Sequence, residues 1–138
     1  MPPLTRWFLR TALAYLLLAM MAGLALAVPS LVPDGLRAGL LPVYVHLLMV
    51  GWVTQMIFGV AWWMFPRPAP ARSFGSPLLG WSAYALLNAG LLLRALCEPL
   101  LARAPGPAAA GGLVTAAALQ LLGVVAFASV IWRRVRGT

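Results

Sequence analysis

The sequence predicts an all-α membrane protein, a four-transmembrane-helix up-down bundle with its N and C termini in the cytoplasm. Of its 138 residues, 63% are hydrophobic and 9% are charged, whereas about a quarter of the residues in a soluble domain are charged. Four apolar stretches are each long enough to cross a bilayer, at about 7–28, 41–65, 78–98 and 108–132. The rest is too short for a soluble domain, so we predict a single transmembrane domain, 1–138, in the lipid bilayer.

The charged residues predict the orientation. All ten basic residues are arginine, and they lie mostly at the ends of apolar stretches. A nucleic-acid surface would gather them on a polar face, so we exclude that class of partner. Arginine excess marks the cytoplasmic side, and it occurs before the first stretch, between the second and third, and after the fourth (Arg6, Arg10, Arg67, Arg72, Arg133, Arg134, Arg136). The pattern predicts a multi-pass protein of a bacterial cytoplasmic membrane.

The first stretch resembles a secretory signal. It begins with arginines and ends in Ala25-Leu26-Ala27, similar to a cleavage site. Its apolar run of about 22 residues is longer than the usual signal core of about 7–15. We therefore expect an uncleaved helix, ended by Pro29 and Pro33 before the Asp34-Gly35 turn.

Proline delimits the other three helices. Pro66 ends the second, Pro77 begins the third, Pro99 closes it, and Pro105 and Pro107 lead into the fourth. Short connections make consecutive helices antiparallel neighbours. The small residues of AAAGGLVTAAALQ at the start of the fourth helix predict close helix packing. A lone cysteine, Cys97, excludes an internal disulfide.

Most of the second helix is the stretch HLLMVGWVTQMIFGVAWWMFPR, which begins with the only histidine of the chain, His46. An ionisable side chain inside a membrane is paired or ligated. We place His46 about five residues from the outer end of its helix, roughly 8 Å in. Arg94 lies at a similar distance from the end of the third helix at Pro99, so both fall at one depth. An Arg94–Glu98 pair is expected from their i,i+4 spacing.

A neutral imidazole near an arginine suits an anionic metallo-ligand such as heme. His46 would bind the iron, and Arg94, with Arg37 or Arg103 from the outer connections, would hold the propionates. Gly51, Gln55 and Gly59 are spaced by four, so they form one stripe that a helix or a flat macrocycle can approach. Aromatic side chains of the same helix offer walls for such a ring: Trp52, Phe58, Trp62 and Trp63.

Each of these features has a simpler interpretation. A membrane histidine is often a hydrogen-bonded packing residue, and Arg94 can extend its guanidinium to the interface. Tryptophans commonly anchor helices at the interface, and the glycine stripe equally suits a packing seam. Tyr84 and Asn88, one turn apart, predict interhelical hydrogen bonds.

The second helix resembles the low-spin-heme-ligating helix of subunit I of the heme-copper oxidases and nitric oxide reductases. The likeness covers about 22 residues and is carried by His46, Gly51, Gly59, Met64, Pro66 and Arg67. NAGLLLRALCEP in the third helix is similar to a segment of small four-helix relatives of that subunit. The resemblance implies a b-type heme. With one histidine the chain lacks a binuclear centre, so it implies no oxygen or nitric oxide reduction by the family mechanism.

The sixth iron position stays open at this point. A second copy could donate its own histidine in a homodimer, a methionine could ligate (Met49, Met20 or Met21), or a gas such as nitric oxide could bind. The first two predict electron transfer with a respiratory-chain or denitrification partner, and the third predicts gas sensing or carriage. The rival is a cofactor-free structural or assembly subunit of a respiratory complex. A transporter fits less well, because no mid-bilayer acid accompanies the histidine.

Overall fold

The structure, a computed structural model, describes residues 1–65 and 77–136 and is helical without strands in that part of the chain. It has four long helices: α1 (Pro3–Ala27), α2 (Asp34–Met64), α3 (Pro77–Arg103) and α4 (Pro107–Arg136). All four are long and apolar enough to cross a membrane, so the predicted multi-pass helical character is confirmed. The predictions at Pro66, Arg67 and Arg72 lie outside the described residues.

Two helices are longer than the proline positions predict. α2 begins at Asp34 rather than near residue 41 and continues through Pro42. α3 continues through Pro99 to Arg103, so the prediction that Pro99 closes it is wrong. Proline removes one backbone hydrogen bond, and neighbouring helices offset that loss in membrane proteins. The contact between α2 and α3 lies at this position: a Cβ on Gly39 would be 2.7 Å from the Pro99 Cα atom.

The middle of α2 is a π-helix, Leu47–Thr54, between the α-helical segments Asp34–His46 and Gln55–Met64. Buried positions in this region recur every four residues: Val43, Leu47, Gly51 and Gln55. A π-helix has hydrogen bonds from i to i+5 and therefore more residues per turn than the 3.6 of an α-helix. The wider turn keeps this four-residue repeat on one face, where an α-helix would rotate it away.

The two ends of the bundle have separate apolar cores. The end that carries both chain termini, hereafter the terminal end, has a core from all four helices: Leu4, Phe8, Phe58, Trp62, Ala83, Leu87, Phe127 and Val130. The opposite end, hereafter the two-loop end, contains the connections after α1 and before α4. Its core comes from α1, α2 and α3 alone: Tyr15, Ala19, Val43, Leu47 and Leu91.

The fourth helix packs along α3. Ala116 is fully buried there, and a Cβ on Gly90 would be 2.7 Å from its carbonyl oxygen. Gly112 faces Cys97 in the same interface. These residues confirm the close-packing surface predicted at the start of α4. At the terminal end the helix also meets α1 and α2 through Phe127.

Candidate functional site

His46 is the last residue of the first α-helical segment of α2, directly before the π-helix. Its side chain is half-buried. The ring Nδ1 lies 2.8 Å from the carbonyl oxygen of Pro42, one turn earlier. Because a carbonyl only accepts, Nδ1 carries the proton in this bond and Nε2 keeps its lone pair. Nε2 has no hydrogen-bond partner among the described residues, so it is the nitrogen available to a ligand.

Arg94 of α3 lies at the same level of the bundle as His46. On α2, His46 lies between Gly39, which faces Glu98 and Pro99, and Gly51, which faces Leu91. Arg94 lies between those partner residues on the antiparallel α3. The two residues therefore lie at a common level, as expected, but each is farther from the end of its helix than predicted. His46 is about twelve residues from Asp34, roughly 18 Å, because α2 begins earlier than expected.

The predicted ion pair of Arg94 is confirmed. Its Nη1 donates to Glu98 Oε1 at 2.9 Å, and each side chain is 15% exposed. The Nε of Arg94 is buried and, in the described part of the chain, has no hydrogen-bond partner. A buried donor without an acceptor is costly. Arg94 therefore has one donor that no acceptor in the described part of the chain satisfies.

The two other arginines of the predicted site lie closer to the helix ends. Arg37 Nη2 donates to the carbonyl oxygen of Leu26, at the end of α1, at 2.8 Å. Its Nη1 is buried and lacks a partner within residues 1–65 and 77–136. Arg103 is exposed at the end of α3. No described hydrogen bond or ion pair joins either side chain to Arg94 or His46.

The Gly51–Gln55–Gly59 stripe is a packing seam within the single chain. A Cβ on Gly51 would be 2.8 Å from Tyr15 Cβ, and one on Gly59 would be 3.1 Å from Phe8 Cβ. Gln55 is fully buried and exchanges hydrogen bonds with Asn88, at 3.2 and 3.4 Å. Side chains of α1 and α3 thus fill the space that a macrocycle would need at this seam.

A polar network links three helices beside the seam. Tyr15 donates to Asn88 Oδ1 at 2.9 Å, and the hydroxyls of Thr11 and Tyr84 are 2.7 Å apart. The interhelical hydrogen bonds predicted for Tyr84 and Asn88 are therefore confirmed. Their partners on α1 were missed, although the four-residue spacing of Thr11 and Tyr15 in an apolar helix was the signal.

The expected aromatic walls lie mostly away from His46. Phe58 stacks on Phe127 with ring centroids 3.7 Å apart. Trp62 is buried in the terminal-end core, with the Arg134 guanidinium 3.9 Å from its ring centroid. Trp62 follows His46 by about sixteen residues, roughly 24 Å along α2. These rings stabilise the opposite end of the bundle.

The methionines considered as second ligands project outward. Met20, Met21 and Met49 are 47%, 67% and 53% exposed. Met49 also lies within one turn of His46 on the same helix, so it cannot reach the opposite face of an iron that His46 binds. Among the described residues, no group of three histidine, cysteine or acidic side chains is placed to hold a metal ion. A single-imidazole heme site requires no such group.

Comparison with known proteins adds no relative: no protein-family model, curated protein or solved structure matches this sequence. The chemistry of the site therefore rests on its own residues. They are an oriented imidazole with Nε2 available and an arginine at the same level with a buried, unpartnered Nε. This donor set fits heme, which needs an axial nitrogen for its iron and cations for its carboxylates.

Proposed function

We propose that this chain is an integral membrane protein that binds one b-type heme, with His46 as an axial ligand. The observation that carries the proposal is the bond from His46 Nδ1 to the Pro42 carbonyl oxygen. A metal-ligating histidine almost always donates its other ring N–H to a carbonyl or carboxylate, which fixes the tautomer and the ring orientation. The same bond leaves Nε2 for the iron.

Arg94 would hold a propionate of this heme. Its buried Nε without a partner among the described residues supports this role, and guanidinium groups match carboxylates in geometry. Arg37 or Arg103 would contribute from positions nearer the helix ends. Bound heme supplies a one-electron redox centre or an iron that binds a small gas. The chain binds and orients it and carries out no substrate turnover.

A second copy of the chain is the favoured source of the sixth ligand. The side chains of Met20, Met21 and Met49 point away from the bundle, whereas His46 is only half-buried. A homodimer, the commonest closed assembly, would give a bis-histidine heme for electron transfer. The physiological setting would be a bacterial cytoplasmic membrane, with both termini in the cytoplasm and a respiratory-chain or denitrification partner. A five-coordinate heme would instead bind nitric oxide.

The test is an absorption spectrum of the protein purified from cells supplied with ample heme, with and without dithionite. We expect a Soret band that sharpens and shifts on reduction in the wild type and is lost in His46→Ala. Val45→Ala is the matched control, because Val45 is the neighbouring residue and is 44% exposed. It should keep the band. Wild-type protein without a Soret band, or an unchanged band in His46→Ala, would overturn the proposal.

A second candidate is a cofactor-free structural or assembly subunit of a respiratory complex. The filled seam at Gly51 and Gly59 favours it, because α1 and α2 pack closely there with no group between them. This candidate predicts that the chain co-purifies with a larger complex. It also predicts the same unfolding temperature in protein from heme-depleted and heme-supplied cells, whereas bound heme would raise that temperature.

A further inference from the structure

Two arginines at the start of α1 lie side by side on the outside of the bundle, at the terminal end. Arg6 and Arg10 are four residues apart, a spacing that makes them neighbours on the surface of an α-helix, and both side chains are exposed. No described hydrogen bond or ion pair joins either guanidinium to another residue. The pair therefore faces the surroundings of the bundle.

The tryptophan between the two arginines indicates their depth in the membrane. Trp7 of α1 and Trp81 of α3 both pack edge-on against Tyr84, with ring centroids 6.3 and 6.0 Å from the tyrosine centroid. The two indoles thus lie at one level of the bundle, and both are exposed. Exposed tryptophans are typical of the membrane–water interface. We therefore place the arginine pair at the depth of the lipid headgroups.

Beyond Arg10, the same strip of α1 carries exposed apolar side chains. Leu13, Leu17 and Met21 follow Arg10 by three, seven and eleven residues, which keeps them on one face of an α-helix, and all three are exposed. Met21 lies about 16 Å from Arg10 along the helix axis, close to half of the roughly 30 Å hydrocarbon core of a bilayer. The strip thus has cations at headgroup depth and apolar side chains along one leaflet.

The charges of the arginine pair are not balanced within the protein. The two acidic side chains of the sequence, Asp34 and Glu98, both belong to the two-loop end, where Glu98 pairs with Arg94. Like charges four residues apart on a helix are destabilising. An anion that binds both arginines offsets this repulsion, and it must come from the surroundings of the bundle.

We infer that Arg6 and Arg10 bind the phosphate of an anionic phospholipid whose acyl chain lies along Leu13 and Leu17. Guanidinium groups match phosphate oxygens through paired N–H···O bonds. A headgroup with its own cation is a poorer partner, because that cation also pairs with the phosphate, so the site selects lipids of net negative charge. The inference is independent of the heme proposal, whose residues lie towards the two-loop end.

The test measures which lipids contact the purified full-length protein. The protein is reconstituted into phosphatidylcholine vesicles with a trace of lipid that is spin-labelled on its acyl chain, either phosphatidylglycerol or phosphatidylcholine. Electron paramagnetic resonance gives the fraction of label that the protein restricts in motion, and hence the relative association constant of the two lipids. In the wild type we expect phosphatidylglycerol to be preferred about fivefold or more, the factor that one arginine near an anionic lipid supplies.

The double variant Arg6→Gln with Arg10→Gln should lose most of this preference. Arg103→Gln is the matched control, since it removes an exposed arginine from the end of α3, at the two-loop end, and it should keep the preference. Both leaflets have the same composition, so the direction in which a variant inserts does not affect the result. If the double variant loses its helical far-UV spectrum, the single variants Arg6→Gln and Arg10→Gln decide, and each should lower the preference more than the control.

Three results would overturn the inference. Equal restriction of both labels by the wild type would show that α1 is covered by lipids without selection or by a second copy of the chain. An equal loss of preference in Arg103→Gln and in the double variant would show a general effect of protein charge. A wild-type preference that is the same at about 0.02 and about 0.5 M NaCl would contradict ion pairing, because salt screens exposed charges.

Discussion

The two ends of this bundle differ in what their interiors contain. The terminal end joins all four helices through stacked and edge-packed rings around Phe127, and the Arg134 guanidinium closes it over Trp62. The two-loop end joins three helices through a smaller apolar core and holds His46 and the Arg94–Glu98 pair. Buried aromatic packing contributes strongly to stability, whereas an oriented imidazole offers a nitrogen to a ligand. We therefore expect stability to depend most on the terminal end, and the proposed heme to bind at the two-loop end.

The largest expected effect is at the aromatic centre of the terminal end. Phe127→Ala removes a ring that is 4% exposed and stacks on Phe58, so the free energy of unfolding should fall by about 3 kcal/mol. The measurement is reversible denaturant unfolding in detergent micelles. Leu121→Ala, at a 63% exposed position of the same helix, should change it by less than about 1 kcal/mol.

His46→Ala is the counterpart of this variant at the two-loop end. Its apoprotein should unfold within about 1 kcal/mol of the wild type, since the ring is half-buried and bonds only to its own helix among the described contacts. If His46→Ala lowered the free energy of unfolding as much as Phe127→Ala, the comparison would be wrong, because His46 would then be a structural residue.

A smaller effect is expected at the seam that connects the two ends. Gly51→Val places a Cβ 2.8 Å from Tyr15 Cβ and 3.1 Å from Leu91 Cδ2, so α1 must move away from the π-helix. We expect a loss of about 2 kcal/mol in the same unfolding measurement, as for other overpacked interiors. Gly111→Val is the control, because no atom lies within 4 Å of its added Cβ. Equal losses in both variants would show that the seam has no special role.

Among the substitutions of closely packed or interhelically bonded residues, the smallest loss is expected in the polar network. Asn88→Leu removes the acceptor of Tyr15 and the partner of buried Gln55, and should cost about 1–2 kcal/mol, within the range of interhelical hydrogen bonds in membranes. Ser129→Ala, whose hydroxyl bonds to its own helix at an exposed position, should cost no more than about 0.5 kcal/mol. If Asn88→Leu is as mild as this control, the network adds no stability between the two ends.

Much of the fold of this protein can be predicted from the local composition of its sequence. Four apolar runs predict four spanning helices because the thickness of a bilayer sets the length that each must have. The Arg94–Glu98 pair follows from i,i+4 spacing on one helix, and polar residues such as Asn88 in an apolar helix require interhelical partners. These features depend on neighbours within a few residues or on a general cost, so the sequence is enough to predict them.

The remaining structural features depend on tertiary packing. The sequence does not reveal that α2 and α3 continue through Pro42 and Pro99, because that depends on how closely Gly39 lets the two helices approach. Nor does it reveal the π-helix, in which Gly51 lies against Tyr15 of α1. The environment of Gln120 is a further example. Its unpaired amide is apparent only once α4 lies on Gly90, because a buried donor is defined by the surfaces that enclose it.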